Sequence, residues 1–147
     1  MQRWSDFNFW TRPTDAQEEW PETPARLGAA GPEVLVPGRH VLATFEIGVE
    51  WLVFSEHDIL FEELLEICLV TGEGIIDRVG LGFLSCSGDG IFPQRRAACV
   101  FAFAFPEGRC WCLEVAAQAR FVRPRLGVYR DGHWRSRLLL CRDKGLR

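Results

Sequence analysis

Hydrophobic and polar positions follow a two-residue period over His40–Ile47 and Val49–Phe54, where β-branched and aromatic residues concentrate, and this predicts two strands. The period then changes. Ser55 offers a side-chain cap and Asp58 a reciprocal contact three residues on, the pattern of a helix start. Ile59, Leu60, Leu64, Ile67 and Cys68 fall on one side of such a helix and Glu62, Glu63 and Glu66 on the other, predicting an amphipathic helix from Asp58 to about Val70. Thr71-Gly72-Glu73-Gly74 supplies its glycine stop. Beyond it, Ile75–Val79, Gly82–Cys86, Ala97–Phe105 and Cys110–Val122 read as strands. Arg130-Asp131-Gly132-His133 reads as a tight turn joining Leu126–Tyr129 to Trp134–Cys141 in a hairpin. The predicted fold class is α+β, with one main helix packed on an antiparallel sheet.

The first 33 residues break this regularity. Pro13, Pro21, Pro24 and Pro32 exclude a long helix or a central strand. Trp4, Phe7, Phe9, Trp10 and Trp20 predict an extended Trp/Pro-rich arm, with its first rings docked on the domain and residues 21–33 without order. The expected organisation is therefore an arm, 1–33, and a single domain, 34–147.

Composition supports a folded chain: 48% of residues are hydrophobic and 25% charged. The start carries no apolar signal segment, and the apolar run Ala97–Phe105 is far shorter than the roughly 20 residues of a membrane helix. These features predict an intracellular protein that is not membrane-bound, with its six cysteines as thiols. Charge is distributed unevenly. Residues 1–93 carry 5 Arg against 16 acidic residues, a net −11, and residues 94–147 carry 11 Arg and 1 Lys against 4, a net +8. Arginine without lysine favours bidentate contacts to carboxylate or phosphate.

No nucleophile elbow or phosphate-binding loop is present, Ser85 and Ser87 have no histidine near them in sequence, and nothing selects a pair between Cys68, Cys86 or Cys99 and His40, His57 or His133, so no enzymatic activity is expected. Cys110 and Cys112, two apart on a strand, share a face and offer half of a tetrahedral zinc site, which His133, Cys99 or Cys141 would complete. The same cysteines equally suit a packed core, and no cofactor is expected beyond that zinc candidate. Arg120, Arg123, Arg125, Arg130, Arg135, Arg137 and Arg142, interleaved with Phe121, Tyr129 and Trp134, are candidate nucleic-acid contacts. A sequence pI near 5.6 opposes that reading. Protein binding is the broader candidate, through Trp134, Arg135 and Arg137 and through the predicted helix with Leu64 and Cys68.

Leu64-x-x-x-Cys68 is similar to the core of the elongin-binding BC box, a helical hook. Phe45-Glu46-Ile47, Glu50-Trp51-x-Val53 and Glu62-Glu63-Leu64, followed by Cys112-Leu113, Gln118, Arg125, Asp131-Gly132, Arg137 and Arg142-Asp143, together resemble the adenoviral early-region thirty-four-kilodalton protein family. That resemblance implies a viral early regulatory protein in the host cytoplasm or nucleus. It would work as a non-enzymatic adaptor that engages host proteins, including a cullin–elongin ubiquitin ligase. A second stretch, Leu126-Gly127-Val128-Tyr129-x-Asp131-Gly132 with Leu138-Leu139-Leu140, looks like part of the herpesviral US-twenty-two and bacterial immunity-protein group. This implies an α+β protein that neutralises a toxin or host defence factor by direct binding.

Overall fold

The segment from Glu50 to Leu84 folds as a three-stranded meander, because its apolar residues are buried on both faces of a sheet. The computed structural model describes residues 21–59, 62–84, 93–105, 109–125, 127–130 and 134–142. Among them there are eleven strands and no helix. The strands are β1 (Glu22–Arg26), β2 (Glu33–Pro37), β3 (His40–Ile47), β4 (Glu50–Ile59), β5 (Glu62–Thr71), β6 (Gly74–Leu84), β7 (Gln94–Ala97), β8 (Val100–Ala104), β9 (Cys110–Phe121), β10 (Val128–Tyr129) and β11 (Arg135–Arg142). They form three antiparallel sheets: the hairpin β1-β2, a five-stranded sheet in the order β10-β6-β5-β4-β3, and a four-stranded sheet in the order β11-β9-β8-β7.

The α+β expectation is thus corrected to an all-β fold, and the helix expected over Asp58–Val70 is replaced by the β4–β5 hairpin and the strand β5. Leu65, Ile67 and Leu69 point to one face of β5 and pack, with Leu52, Phe54, Val79 and Leu81, against Phe101, Phe103, Trp111 and Leu113 of the four-stranded sheet. Cys68 and Val70 point to the opposite face and pack, with Val53, under Ala25, Val34 and Val36 of the β1–β2 hairpin. A strand covered on both faces shows an unbroken apolar run, which a helical face also shows. Glu66, expected on a solvated helix face, is fully buried. Ser55, expected as a helix cap, lies inside β4 and donates from Oγ to the Pro37 carbonyl at 2.5 Å. Gly74, at φ +137°, closes the β5–β6 hairpin.

Two further expectations change. Ala97–Phe105 is not one strand: β7 turns at Ala98-Cys99 into β8. The segments around 128 and 138 do not pair with each other. β10 joins β6 and β11 joins β9, so the chain crosses between the sheets there. The Asp131-Gly132 turn lies outside the described residues. So do residues 1–20, on which the expected docking of Trp4 to Trp10 falls. Residues 21–33 include β1, which pairs with β2 in the register Glu22↔Pro37 to Arg26↔Glu33.

The inter-sheet core is aromatic at its centre. Phe45 lies 4.9 Å from Phe101, and Phe54 lies 5.4 Å from Phe103, edge to face. Trp111 is buried and donates from Nε1 to the Phe105 carbonyl at 2.6 Å. Each such large apolar side chain stabilises the fold by about 1.5–3 kcal/mol relative to exposure. No helix among the described residues is long and apolar enough to cross a membrane.

Candidate functional site

The charge asymmetry of the sequence maps onto the two large sheets. The strands of the five-stranded sheet hold the acidic residues Glu46, Glu50, Glu56, Glu66 and Asp77. The four-stranded sheet and its flanks hold Arg95, Arg96, Arg120, Arg123, Arg135, Arg137 and Arg142. Where β6 passes β11, the two sets meet. Arg137 grips Glu50 with both prongs of its guanidinium, Nη1 to Oε1 at 2.6 Å and Nη2 to Oε2 at 2.8 Å, and donates from Nε to the Ala116 carbonyl at 2.7 Å. The hydrogen bonds to Glu50 hold the Arg137 guanidinium above its ordinary pKa.

Asp77 organises the same junction. Its Oδ2 accepts from the Ser136 hydroxyl at 2.7 Å and from the backbone N–H groups of Arg137 at 2.7 Å and Leu138 at 3.3 Å. Behind it, Arg130 is buried and donates from Nη1 to Ser136 Oγ and to the Leu138 carbonyl. Burial pushes Arg130 down to about 10, Asp77 opposing and Arg125 adding to the shift, so it stays charged at neutral pH.

A shallow groove of about 380 Å³ opens over this junction, between Ile75, Ile76, Asp77 and Arg78 on one side and Ala119, Arg135 and Arg137 on the other. Its apolar floor is accessible: Ile76 is 48% exposed. Beside it, Phe121 and Trp134 stack with ring centres 6.1 Å apart and planes 26° apart, although they are 64% and 57% exposed. Their placement is fixed by backbone pairing. Arg135 opposes Phe121, and the Val122 N–H donates to the Trp134 carbonyl at 2.9 Å. Arg135 reaches back to the Ala119 carbonyl at 2.9 Å. Among the described residues, β6 has a strand neighbour on this side only around Gly80–Gly82, where β10 pairs.

Of the residues singled out from the sequence, Trp134, Arg135 and Arg137 come together here. Leu64 and Cys68 do not. Both are buried, on strand β5, and face away from this junction, so the pair is not displayed on a helix and cannot serve as an exposed hook. Several candidate nucleic-acid arginines contact other side chains, although only Arg130 is buried and Arg137 part-buried, while Arg120, Arg125 and Arg142 are exposed. Arg125 and Arg142 each lie 5.7 Å from the centre of the Trp111 ring, Arg120 lies 3.7 Å from Glu114, and Arg130 and Arg137 are engaged as described. Sequence reasoning missed Glu50, Asp77 and Ile76, which no local pattern ties to residues some 60 to 90 positions away.

The zinc candidates Cys110 and Cys112 share the outer face of β9, Cys112 opposite Cys141. Cys99 sits in the β7–β8 turn, and His133 lies outside the described residues. Among the described residues no group of three or more His, Cys, Asp or Glu is placed to hold a metal ion. One constellation resembles catalytic machinery. Ser55, His57, Glu66 and Cys68 lie on one face of β4 and β5, with His57 Nε2 3.5 Å from Glu66 Oε1. Both side chains of that pair are 0% exposed, and the Ser55 hydroxyl is turned to Pro37, so the cluster presents nothing to a substrate.

Comparison with protein-family models, with curated proteins and with solved structures gives no match.

Proposed function

We propose that this protein works by stoichiometric binding of another protein through the surface formed by Phe121, Trp134, Arg135 and the groove floored by Ile75 and Ile76. The observation that carries the reading is the exposed Phe121–Trp134 stack beside an arginine and an apolar trough. Tryptophan and arginine at the centre of a patch are what concentrates binding energy in protein interfaces. The trough has room for an extended segment, and the β6 edge along it offers backbone groups to pair with one. Apolar side chains on that segment would fill the trough, and carboxylates would meet Arg135 and Arg78.

An adaptor of the kind the early-region resemblance implies is one form of this reading. The elongin hook at Leu64 and Cys68 is not carried forward, because both side chains are buried on a strand, Cys68 beneath the β1–β2 hairpin. Nucleic-acid binding is the second reading, favoured by the segregation of arginine onto one sheet. The exposed Ile75 and Ile76 at the groove and the engagement of Arg130 and Arg137 inside the fold weigh against it, because phosphate contacts need accessible cations.

The test is affinity capture from extracts of cells that make the protein, using the intact chain and a Trp134→Ala, Arg135→Ala variant, each with and without nuclease. The expected result is a protein retained by the intact chain after nuclease and lost from the variant. Equal capture by both chains would remove this surface from consideration. Retention that disappears with nuclease and falls steeply with salt would transfer the site to nucleic acid.

A further inference from the structure

Cys112 and Cys141 stand directly opposite each other on β9 and β11, in register between Leu140↔Leu113 and Arg142↔Trp111. Directly opposed residues of antiparallel strands project side chains to the same face and keep their Cα atoms about 4.5–5.5 Å apart. A disulfide requires about 4.4–6.8 Å. Both residues are thiols, and the Cys141 Sγ already reaches over its neighbour, 3.6 Å from the Cys112 carbonyl oxygen. Cys141 is exposed and Cys112 half-buried, on the face of the sheet turned away from the aromatic core.

We infer that Cys112 and Cys141 form a redox-active dithiol, which a low-molecular-weight disulfide such as oxidised glutathione converts to a cross-strand disulfide without rearrangement of the sheet. The exchange balances in two steps. The Cys141 thiolate attacks one sulfur of the small disulfide, forming a mixed disulfide and releasing one small thiolate. The Cys112 thiolate then attacks Cys141 Sγ, closing the protein disulfide and releasing the second. Two protein thiols lose two electrons and two protons, and the small disulfide gains them as two thiols. The accessible residue attacks first because exchange requires a collinear approach that a half-buried thiol does not offer.

The sheet also selects the partner. Cys110 lies on the same face as Cys112, but its cross-strand neighbour on the β8 side is Ala104, and its approach to Cys141 is diagonal. Diagonal pairs are about 7–8 Å apart, beyond the reach of an unstrained disulfide. Cys68 belongs to the other large sheet and is fully buried, and Cys99 lies in the β7–β8 turn. Closure would clamp the edge strand β11, which carries Arg135 and Arg137, to β9. The inference is independent of what binds at the groove.

The experiment uses the full chain, equilibrated under native conditions in oxidised and reduced glutathione, blocked with an alkylating reagent and digested with trypsin. Cleavage after Arg109, Arg120, Arg137 and Arg142 places Cys110 and Cys112 on one peptide, residues 110–120, and Cys141 on another, residues 138–142. The expected product is these two peptides joined by a disulfide, retained in Cys110→Ser and abolished in Cys112→Ser. A chain unfolded in guanidinium before oxidation should instead yield mixed pairings that include Cys68. A link lost in Cys110→Ser, a stable glutathione adduct on Cys141 with no linked peptide, or the same mixed pairings from native and unfolded chains would each overturn the assignment.

Discussion

Arg137 and Glu50 form a two-pronged ion pair across 87 residues of sequence, tying β11 of the four-stranded sheet to β4 of the five-stranded one. The side chains retain only 24% and 18% of their exposure, so the pair is partly shielded from solvent and salt. Arg137→Ala and Glu50→Ala should each destabilise the fold, with a coupling between them of about 1–2 kcal/mol in a double-mutant cycle. Arg137→Lys should not restore it, because an ammonium cannot reproduce the parallel contacts. Urea unfolding of the four chains measures the coupling. A value near zero would mean that this ion pair contributes nothing to joining the sheets, leaving apolar packing and the Asp77 hydrogen bonds to hold them.

The stacked ring pair is predicted to contribute to contact and not to folding. Phe121 and Trp134 are mostly exposed, so Phe121→Ala or Trp134→Ala should change unfolding free energy by no more than about 1 kcal/mol. Trp111, buried in the inter-sheet core, should lose about 3–5 kcal/mol as Trp111→Ala. The comparison needs only denaturant titrations of the three variants. A loss at Trp134 as large as that at Trp111 would identify the ring as part of the core.

How far the fold was legible depended on which surfaces each strand meets. β3 and β9 keep enough alternation and β-branched or aromatic residues to be read directly, and the glycine turn at 72–74 was located although its role was misassigned. β5 could not be read from its own residues. Its neighbours on both faces, Phe101 and Val36 among them, come from distant parts of the chain, so apolar residues occupy both faces of the strand and, with Glu62, Glu63 and Glu66, imitate the two sides of a helix. The candidate site was half legible: Trp134, Arg135 and Arg137 stand out as an arginine–aromatic cluster. Glu50 and Asp77 look like ordinary surface acids until the sheets are stacked.

Gly38 is predicted to be intolerant of any side chain. It adopts φ +114°, where L-residues are strained, and a Cβ there would lie 2.8 Å from the Glu56 carbonyl oxygen. The same bend sets two contacts that hold the chain: Gly38 N–H to the Pro21 carbonyl and Arg39 N–H to the Glu56 carbonyl, both at 2.8 Å. Gly38→Ala should therefore destabilise by about 1–3 kcal/mol, whereas Gly48→Ala, in a turn open to solvent at φ +61°, should cost about 1 kcal/mol. Thermal unfolding of both variants distinguishes the two positions, and equal losses would contradict the close approach.

The buried pair of His57 and Glu66, on the adjacent strands β4 and β5, gives a last prediction, because a polar group sealed from water is costly to deprive of a contact. Their side chains are 0% exposed and 3.5 Å apart. Removing one partner deprives the other of this contact in a low-dielectric interior, a loss of about 2–4 kcal/mol for Glu66→Leu or His57→Leu. Removing both replaces the pair with apolar surface continuous with Val53, Cys68 and Val36. The double variant should therefore lose less than the sum of the two single losses, a non-additivity that urea titration of the four chains reads directly. Single losses that simply add would show that the contact between the imidazole and the carboxylate contributes nothing of its own, and that each side chain is held in the interior by its other neighbours.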